Sequence, residues 1–266
     1  MLYSAVRPAR QIRHYQYHCM QSQESSAEDA PAEDVFQQFE TDPRITYPGY
    51  MPMDAFIDVE RLRSLDTYIG ARLKRRLKAA ANNDLAFFTG PYKLEADALA
   101  LPGTKMVYLS ECERTGRYLD LDQTDLWHPT EAAKEFAMLM DFIATLPFKA
   151  TGRMLIMYDT EARPVSAHRD HMETDICHDF IWMRSSKKKP FYMLNHITGE
   201  KAYVESYSAW FDSVNQFHGS DAYDGLSFSI RVDGIFTDEL KAQIPTPAIN
   251  PASAPALWAT LYGRNA

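Results

Sequence analysis

After Gly152, short strand-like runs alternate with turn residues, and this pattern limits the fold more than any other feature of the sequence. The runs cover residues 153–158, 177–183, 190–197, 201–204, 206–212 and 226–236. Strands of this length and spacing are typical of a β-sandwich or a β-barrel. With 266 residues, 45% of them hydrophobic, the chain can bury the core of such a fold within one domain.

Helical periodicity is confined to the part of the chain before these runs. Apolar residues recur at three- and four-residue steps from Met53 to Asn82, and a second helix is predicted from Thr130 to Leu146. Thr130 is the predicted N-cap of the second helix, and Pro147 ends it. Helices followed by strands predict an α+β fold in which N-terminal helices pack on one face of a small β-barrel.

The polar and acidic stretch over residues 21–34 separates an N-terminal arm from the main body. We therefore predict an arm and linker over 1–45 and a single domain over 46–266. Within that domain we expect a helical part (46–150), a β core (150–240) and a C-terminal tail (241–266). The helical part would either cover the mouth of the barrel or build a homodimer contact, and the sequence leaves both open.

Charge and cysteine content exclude several classes of protein. A net charge of −8 and a pI near 5.5 argue against a nucleic-acid binder, which needs clustered positive charge. No apolar run is long enough to predict a membrane span. Cys19, Cys112 and Cys177 show no paired spacing, so we expect free thiols and a cytoplasmic location.

The stretch VSAHRDHME holds the densest cluster of candidate metal ligands. On a strand, His168 and Asp170 would point to the same side, which directs an imidazole and a carboxylate into one interior. These are two of the three ligands of a facial iron(II) site. His218 supplies the third, because it lies where an opposing strand would return beside the first. His171 and Glu173 have the same spacing and form an alternative pair.

Three protein ligands leave three octahedral positions open, which a bidentate 2-oxo acid and dioxygen would need. The distal carboxylate of such an acid is buried and requires a cation nearby. Arg231 is the candidate, because it lies thirteen residues after His218 in the otherwise uncharged run LSFSIRV. Ser229 would face the same side of that strand and could add a hydroxyl.

The order His-x-Asp, distal His and then a basic residue resembles the iron(II)- and 2-oxoglutarate-dependent oxygenases. The resemblance covers about residues 150–240. Within that superfamily, the run WFD before His218 and the Val-Asp pair after Arg231 are most similar to the aspartyl/asparaginyl β-hydroxylase and proline hydroxylase branch. The implied fold is a double-stranded β-helix, a cupin-like jelly roll.

The resemblance also implies cofactors and residue roles. Iron(II) would be held by His168, Asp170 and His218, with 2-oxoglutarate as co-substrate, dioxygen as oxidant and ascorbate as a stimulant. His178 stands where this branch often has a second histidine that contacts the co-substrate, and Tyr158 is placed to hydrogen-bond the keto acid. Because Asp170 is present, hydroxylation or another oxidation is favoured over halogenation, for which relatives carry a small residue there.

The implied substrate is a small molecule or an amino-acid-type group, free or peptidyl, that is oxidised at an unactivated C–H bond. Residues expected near it are His171, Asn195, His196 and Arg184. Arg153 and Arg184 flank the barrel, where each either holds an acidic substrate group or forms an ordinary surface ion pair.

Two other classes of protein remain compatible with the same residues. A cupin-barrel hydrolase or isomerase would use zinc or manganese at the same ligands. A fourth protein ligand, or the lack of a carboxylate-binding arginine, would favour it. A non-catalytic β-sandwich binding module would bind no metal.

Overall fold

The computed structural model describes residues 50–82, 84, 103–113, 124–170, 179–195, 198–213 and 216–244. Within these ranges the chain forms antiparallel sheets of six and four strands, a two-stranded hairpin and several short helices. Helices combined with antiparallel sheets confirm the predicted α+β class.

The strands are β1 (Tyr50–Pro52), β2 (Lys105–Tyr108), β3 (Ser110–Cys112), β4 (Trp127–Pro129), β5 (Phe148–Asp159), β6 (Val165–His168), β7 (Phe180–Met183), β8 (Phe191–Leu194), β9 (Lys201–Tyr203), β10 (Ser208–Phe211), β11 (Phe217–Ser220) and β12 (Ser227–Phe236). The helices are α1 (Val59–Ser64), α2 (Asp66–Ala81), α3 (Glu131–Glu135), α4 (Ala137–Ile143) and α5 (Asp238–Lys241), with 3-10 turns at Asp54–Phe56 and Thr124–Leu126.

From β5 onward the chain passes back and forth between the two larger sheets. The six-stranded sheet has the order β1-β10-β7-β12-β5-β2, and the four-stranded sheet has the order β6-β11-β8-β9. Strands β3 and β4 form the separate hairpin. The strands predicted after Gly152 are present. Strands β1 to β4 arise from the region predicted as helical, where runs of three or four residues are too short to show a period.

Both predicted helical regions are helical, but each is divided into two helices. In the first, Asp58 caps α1 by accepting a hydrogen bond from Arg61 N–H at 2.9 Å. In the second, Thr130 caps α3 as predicted, by accepting from Ala133 N–H at 3.3 Å. The helix predicted up to Leu146 is interrupted at Phe136, whose backbone (φ −105°, ψ 35°) is not helical, and α4 follows.

One hydrophobic core joins the helices to the sheets. It includes Ile69 and Leu73 of α2, Phe142 of α4 and Ile156 of β5, all fully buried. The helices are therefore held in place because each buries an apolar stripe against residues of the sheet. Their predicted location on a single face of the barrel stays a prediction.

The whole predicted arm over 1–45, and the predicted tail beyond residue 244, lie outside the described residues. The domain limits and the homodimer contact stay predictions. No described helix is long and apolar enough to cross a membrane.

Candidate metal centre

His168 and His218 face one another across two neighbouring strands. His168 is the last residue of β6, and its Cα partner on β11 is His218. Asp170 lies just beyond β6, where its backbone N–H donates to the Ser213 carbonyl at 2.7 Å. One potential ligand atom from each of the three side chains lies within 4.8 Å of the other two. Antiparallel pairing thus brings together residues that are fifty positions apart in the sequence.

The hydrogen bonds of the two imidazoles leave the same ring nitrogen open in each. His168 Nδ1 lies 2.8 Å from the Ser166 carbonyl, and His218 Nδ1 lies 3.1 Å from the Gln216 carbonyl. A carbonyl oxygen only accepts, so Nδ1 carries the proton in both neutral rings and Nε2 keeps its lone pair. The two Nε2 atoms lie 3.9 Å and 3.5 Å from Asp170 Oδ1. Two nitrogen donors and one carboxylate oxygen therefore converge.

The charge states suit a metal ligand set. Burial lowers the pKa of His168, and the neighbouring His218 lowers it further, against a smaller opposing effect of the Ser166 carbonyl and Asp170. Burial acts to raise the pKa of Asp170. A His218 ring that is protonated and donates to Asp170, together with the charge of Arg231, outweighs burial and holds that pKa well below its usual range. A neutral imidazole and an ionised carboxylate are the forms that bind metals.

Arg231 lies beside the triad, with a different set of partners from the predicted one. Its Nη1 donates to Asp170 Oδ2 at 2.9 Å, and its Nε donates to Asp233 Oδ1 at 3.0 Å. Its Cζ lies 3.9 Å from the centre of the Phe180 ring. Its Nη2 is buried and has no hydrogen-bond partner among the residues that the structure describes. One buried N–H-bearing nitrogen therefore remains to meet a ligand.

Aromatic side chains from both sheets surround His218. The Phe211 ring centre lies 5.0 Å and the Phe191 ring centre 6.0 Å from that of His218. Trp182 of the six-stranded sheet stacks on Phe191 of the four-stranded sheet, with ring centres 4.4 Å apart. Phe211 belongs to the run WFD, but nothing in the sequence assigns it this contact. Only the pairing of strands shows which apolar residues flank the histidine.

Strand register places two predicted co-substrate residues, Ser229 and Tyr158, on opposite faces of the six-stranded sheet. Ser229 lies two residues from Arg231 on β12, so both side chains project from the same face of the sheet. Tyr158 of β5 is paired with Phe228, whose side chain projects from the opposite face. Tyr158 is almost fully buried within the hydrophobic core. Alternation along the strand directs the Tyr158 ring to the face opposite Arg231, and the predicted contact of Tyr158 with the co-substrate stays a prediction.

The two arginines predicted to flank the barrel are buried. Arg184 donates to the backbone carbonyls of Ser206, Lys189 and Val204, so its guanidinium holds loops together. Its predicted role at the substrate stays a prediction. Arg153 pairs with the buried Asp233 at 3.0 Å, which replaces the expected surface ion pair.

The remaining predicted substrate residues lie in turns or outside the described residues. Asn195 Oδ1 accepts from Thr198 N–H at 3.2 Å in the turn between β8 and β9, which is a structural role. His171, His178 and His196 are not described, and neither is Glu173, so the alternative pair His171 and Glu173 stays an open alternative.

Within the described ranges, the geometry defines one candidate metal centre with two histidines and one carboxylate. No protein-family model matches the chain. No curated protein matches its sequence either.

The solved structures that match include prolyl hydroxylases and a member of the 2OG-Fe(II) oxygenase family. A prolyl-4-hydroxylase of Pseudomonas putida is 11% identical, with a TM-score of 0.36, and the match covers 76% of this chain and 97% of that one. An oxidoreductase of the 2OG-Fe(II) oxygenase family from Burkholderia pseudomallei is 11% identical, with a TM-score of 0.37 and coverage of 77% and 90%. A Trichoplax adhaerens prolyl hydroxylase, solved with a hypoxia inducible factor peptide, is 10% identical, with a TM-score of 0.35 and coverage of 81% and 92%. Similarity at this level does not assign the chain to a family, so function is inferred from the site.

Proposed function

We propose that this protein is a non-haem iron(II)- and 2-oxoglutarate-dependent dioxygenase. It would hydroxylate, or otherwise oxidise, an unactivated C–H bond of a small molecule or amino-acid-type substrate. The observation that carries the proposal is that one potential ligand atom from each of His168, Asp170 and His218 lies within 4.8 Å of the other two, with both Nε2 atoms within 3.9 Å of Asp170 Oδ1. Two imidazoles and one carboxylate on one face, with other positions open, are the ligand set typical of such iron(II) oxygenases.

The same proposal includes the fold. The two larger sheets would be the walls of a double-stranded β-helix, with the metal centre between them. Support comes from the order of strands, since β5, β7, β10 and β12 lie in one sheet while β6, β8, β9 and β11 lie in the other. The stacking of Trp182 on Phe191 joins the two walls close to His218.

The residues present fit iron(II). Both histidines offer Nε2 because their Nδ1 atoms are occupied by carbonyls, and Asp170 offers Oδ1 because Arg231 occupies Oδ2. Bound iron(II), together with 2-oxoglutarate, would supply the chemistry that activates dioxygen for C–H oxidation. The protein's own contribution is to fix the three donors and to keep the other coordination positions clear.

Arg231 and Ser229 would hold the distal carboxylate of 2-oxoglutarate. The buried Nη2 of Arg231 lacks a partner among the described residues, and a carboxylate would satisfy it with a charge-assisted hydrogen bond. Ser229 projects from the same face of β12 and could donate its hydroxyl. The aromatic side chains around His218 would exclude water from the reacting region. His178 stays a further candidate contact.

The alternative classes are less well supported. A hydrolase or isomerase would be favoured by a fourth protein ligand, and the described part of the chain contains none beside the triad. It would also be favoured by the lack of a carboxylate-binding arginine, whereas Arg231 lies 2.9 Å from a triad residue. A non-catalytic module gives no reason for two Nε2 atoms and a carboxylate to converge.

Turnover of 2-oxoglutarate tests the proposal. We expect the full chain, supplied with iron(II), ascorbate and air, to convert 2-oxoglutarate to succinate, measured by mass spectrometry. His168→Ala should lower this rate by about 100-fold or more, as expected for loss of a metal ligand. His128→Ala is the matched control, because His128 is exposed and pairs with Glu113. Equal turnover in His168→Ala and the wild type would contradict the assignment.

The same assay with candidate substrates identifies the oxidised compound. A product heavier by one oxygen supports hydroxylation, and a product lighter by two hydrogens supports desaturation or ring closure.

A further inference from the structure

Ion pairs connect Asp170 to the interior of the six-stranded sheet. Arg231 Nη1 donates to Asp170 Oδ2 at 2.9 Å, and Arg231 Nε donates to Asp233 Oδ1 at 3.0 Å. Arg153 Nε, on the neighbouring strand β5, donates to the other oxygen of Asp233 at 3.0 Å. Asp233 is fully buried, while Arg153 and Arg231 are 7% and 8% exposed. The four charges alternate in sign along one row that ends at a candidate metal ligand.

The orientation of the Arg231 guanidinium is set by its contacts with Phe180 and Asp233. The Phe180 ring, 3.9 Å from Cζ, limits the guanidinium to the space above the ring. The hydrogen bond from Nε to Asp233 fixes its rotation. With these two contacts in place, Nη1 meets Asp170 and Nη2 stays open. Asp233 is itself held by Arg153, so the geometry of the guanidinium depends on both residues.

We propose that Asp233 and Arg153 are positioning residues for the metal centre. Through Arg231 they hold Asp170 with Oδ2 occupied, so that Oδ1 is the oxygen directed at the two Nε2 atoms. The inference rests on the metal site of the proposed function and is independent of the substrate. Hydrogen-bonding partners that orient metal ligands change metal affinity by about 10- to 100-fold when they are removed.

If Arg153 and Asp233 only stabilised the fold, their substitution would lower stability without a specific effect on metal binding. Loss of a buried ion pair lowers stability wherever the pair lies, because it leaves one charge unpaired. A matched pair exists elsewhere in the chain, where Arg76 Nε of α2 lies 2.8 Å from Glu135 Oε2 of α3. Arg76 is 5% exposed, which is comparable to Arg153. Arg76→Gln therefore reports the effect of losing such a pair between two helices.

Metal affinity of the full-length chain tests the proposal. Co(II) is titrated into metal-free wild type, Arg153→Gln, Arg153→Lys and Arg76→Gln, with visible absorption as the signal and thermal unfolding measured in parallel. We expect Arg153→Gln to bind Co(II) about 10- to 100-fold more weakly than the wild type. Arg153→Lys keeps the charge without the Nε geometry, so its loss should be smaller, at about 3- to 10-fold. Arg76→Gln should be less stable and bind Co(II) within about twofold of the wild type.

A folded Arg153→Gln with affinity within about twofold of the wild type would overturn the proposal. If Arg153→Gln does not fold, Arg153→Lys decides in the same way, since a loss of about threefold or more supports the proposal and a smaller one overturns it. An equal loss in Arg76→Gln would also overturn it. A wild-type chain that binds no Co(II) contradicts the metal site itself, so the two failures are distinguishable.

Discussion

Asp233 lies between two guanidinium groups, and its ionisation is tied to theirs. Burial acts to raise the pKa of this carboxyl, but the charges of Arg153 and Arg231 and their hydrogen bonds hold it below its usual value. A carboxyl whose pKa is lower in the folded than in the unfolded chain stabilises the fold at pH values above about 4. That stabilisation is lost as the pH falls from about 4 through the folded pKa.

We expect Asp233→Asn to lower the free energy of unfolding by about 3–5 kcal/mol at pH 7, because both arginines lose a buried counter-charge. The difference from the wild type should narrow as the pH falls from about 4 through the folded pKa, because the carboxyl is protonated first in the unfolded chain and at lower pH in the folded one. Urea denaturation of the metal-free proteins at several pH values measures this.

Asp221→Asn is the control for that experiment. Asp221 also has a lowered pKa, because of hydrogen bonds from Lys201 and Tyr203, but this cluster is solvent-exposed. Its removal should cost less than about 1 kcal/mol. Equal losses for the two substitutions, or a loss for Asp233→Asn that is constant with pH, would contradict the account.

At the scale of residues, the sequence predicted the triad and missed the ion pairs behind it. His168 and Asp170 are two positions apart, so the alternation of a strand relates them without knowledge of the fold. Arg231 and Asp233 are likewise two positions apart on β12, but the pairing of Asp233 with Arg153 depends on the register of β5 and β12, and the contact of Arg231 with Asp170 joins residues from two sheets. No local pattern contains that register.

Strand β11 is held tightly between β6 and β8, and Gly219 makes this spacing possible. A Cβ at residue 219 would lie 2.7 Å from the Val165 carbonyl oxygen of β6 and 2.8 Å from the Tyr192 hydroxyl of β8. The first of these is backbone, so β6 itself would have to move. Because His168 ends β6 and His218 precedes Gly219, such a movement would separate the two imidazoles.

We expect Gly219→Ala to destabilise the fold by about 1–3 kcal/mol, the usual cost of overpacking, and to weaken metal binding. Gly70→Ala is the control, because its Cβ would meet only Leu226, at 3.9 Å. Lying within helix α2, that substitution should stabilise the chain by up to about 1 kcal/mol and leave metal binding unchanged. Thermal unfolding and metal titration measure both. Undiminished metal affinity in Gly219→Ala would contradict the role given to this spacing.

At the scale of elements, long periodic segments were predictable and short ones were not. The apolar stripe of α2 and the run that became β12 each extend over ten or more residues, enough to define a period. Strands β1, β3 and β4 have three residues each and exist because a neighbouring strand pairs with them. The break at Phe136 likewise follows from tertiary packing, since that side chain is fully buried.

At the scale of the whole molecule, the passage of the chain between two sheets accounts for the position of the site. Strands β6 and β11 carry the histidines in the four-stranded sheet, while β12 carries Arg231 in the six-stranded sheet. The α+β class could be predicted because helical periodicity is followed along the sequence by strand-like runs. The sequence could not predict that region 46–150 contributes β1 and β2 to the six-stranded sheet, because pairing with β10 and β5 determines these two strands.

The iron content of the protein tests most directly whether His168, Asp170 and His218 bind the metal. Wild type, Asp170→Ala and Glu173→Ala are loaded with iron(II) without oxygen, freed of excess metal and analysed for bound iron. Glu173 belongs to the alternative pair, which makes it the matched control. We expect one iron per chain in the wild type and in Glu173→Ala, and little or none in Asp170→Ala. Full iron in Asp170→Ala, with loss in Glu173→Ala, would contradict the assigned triad.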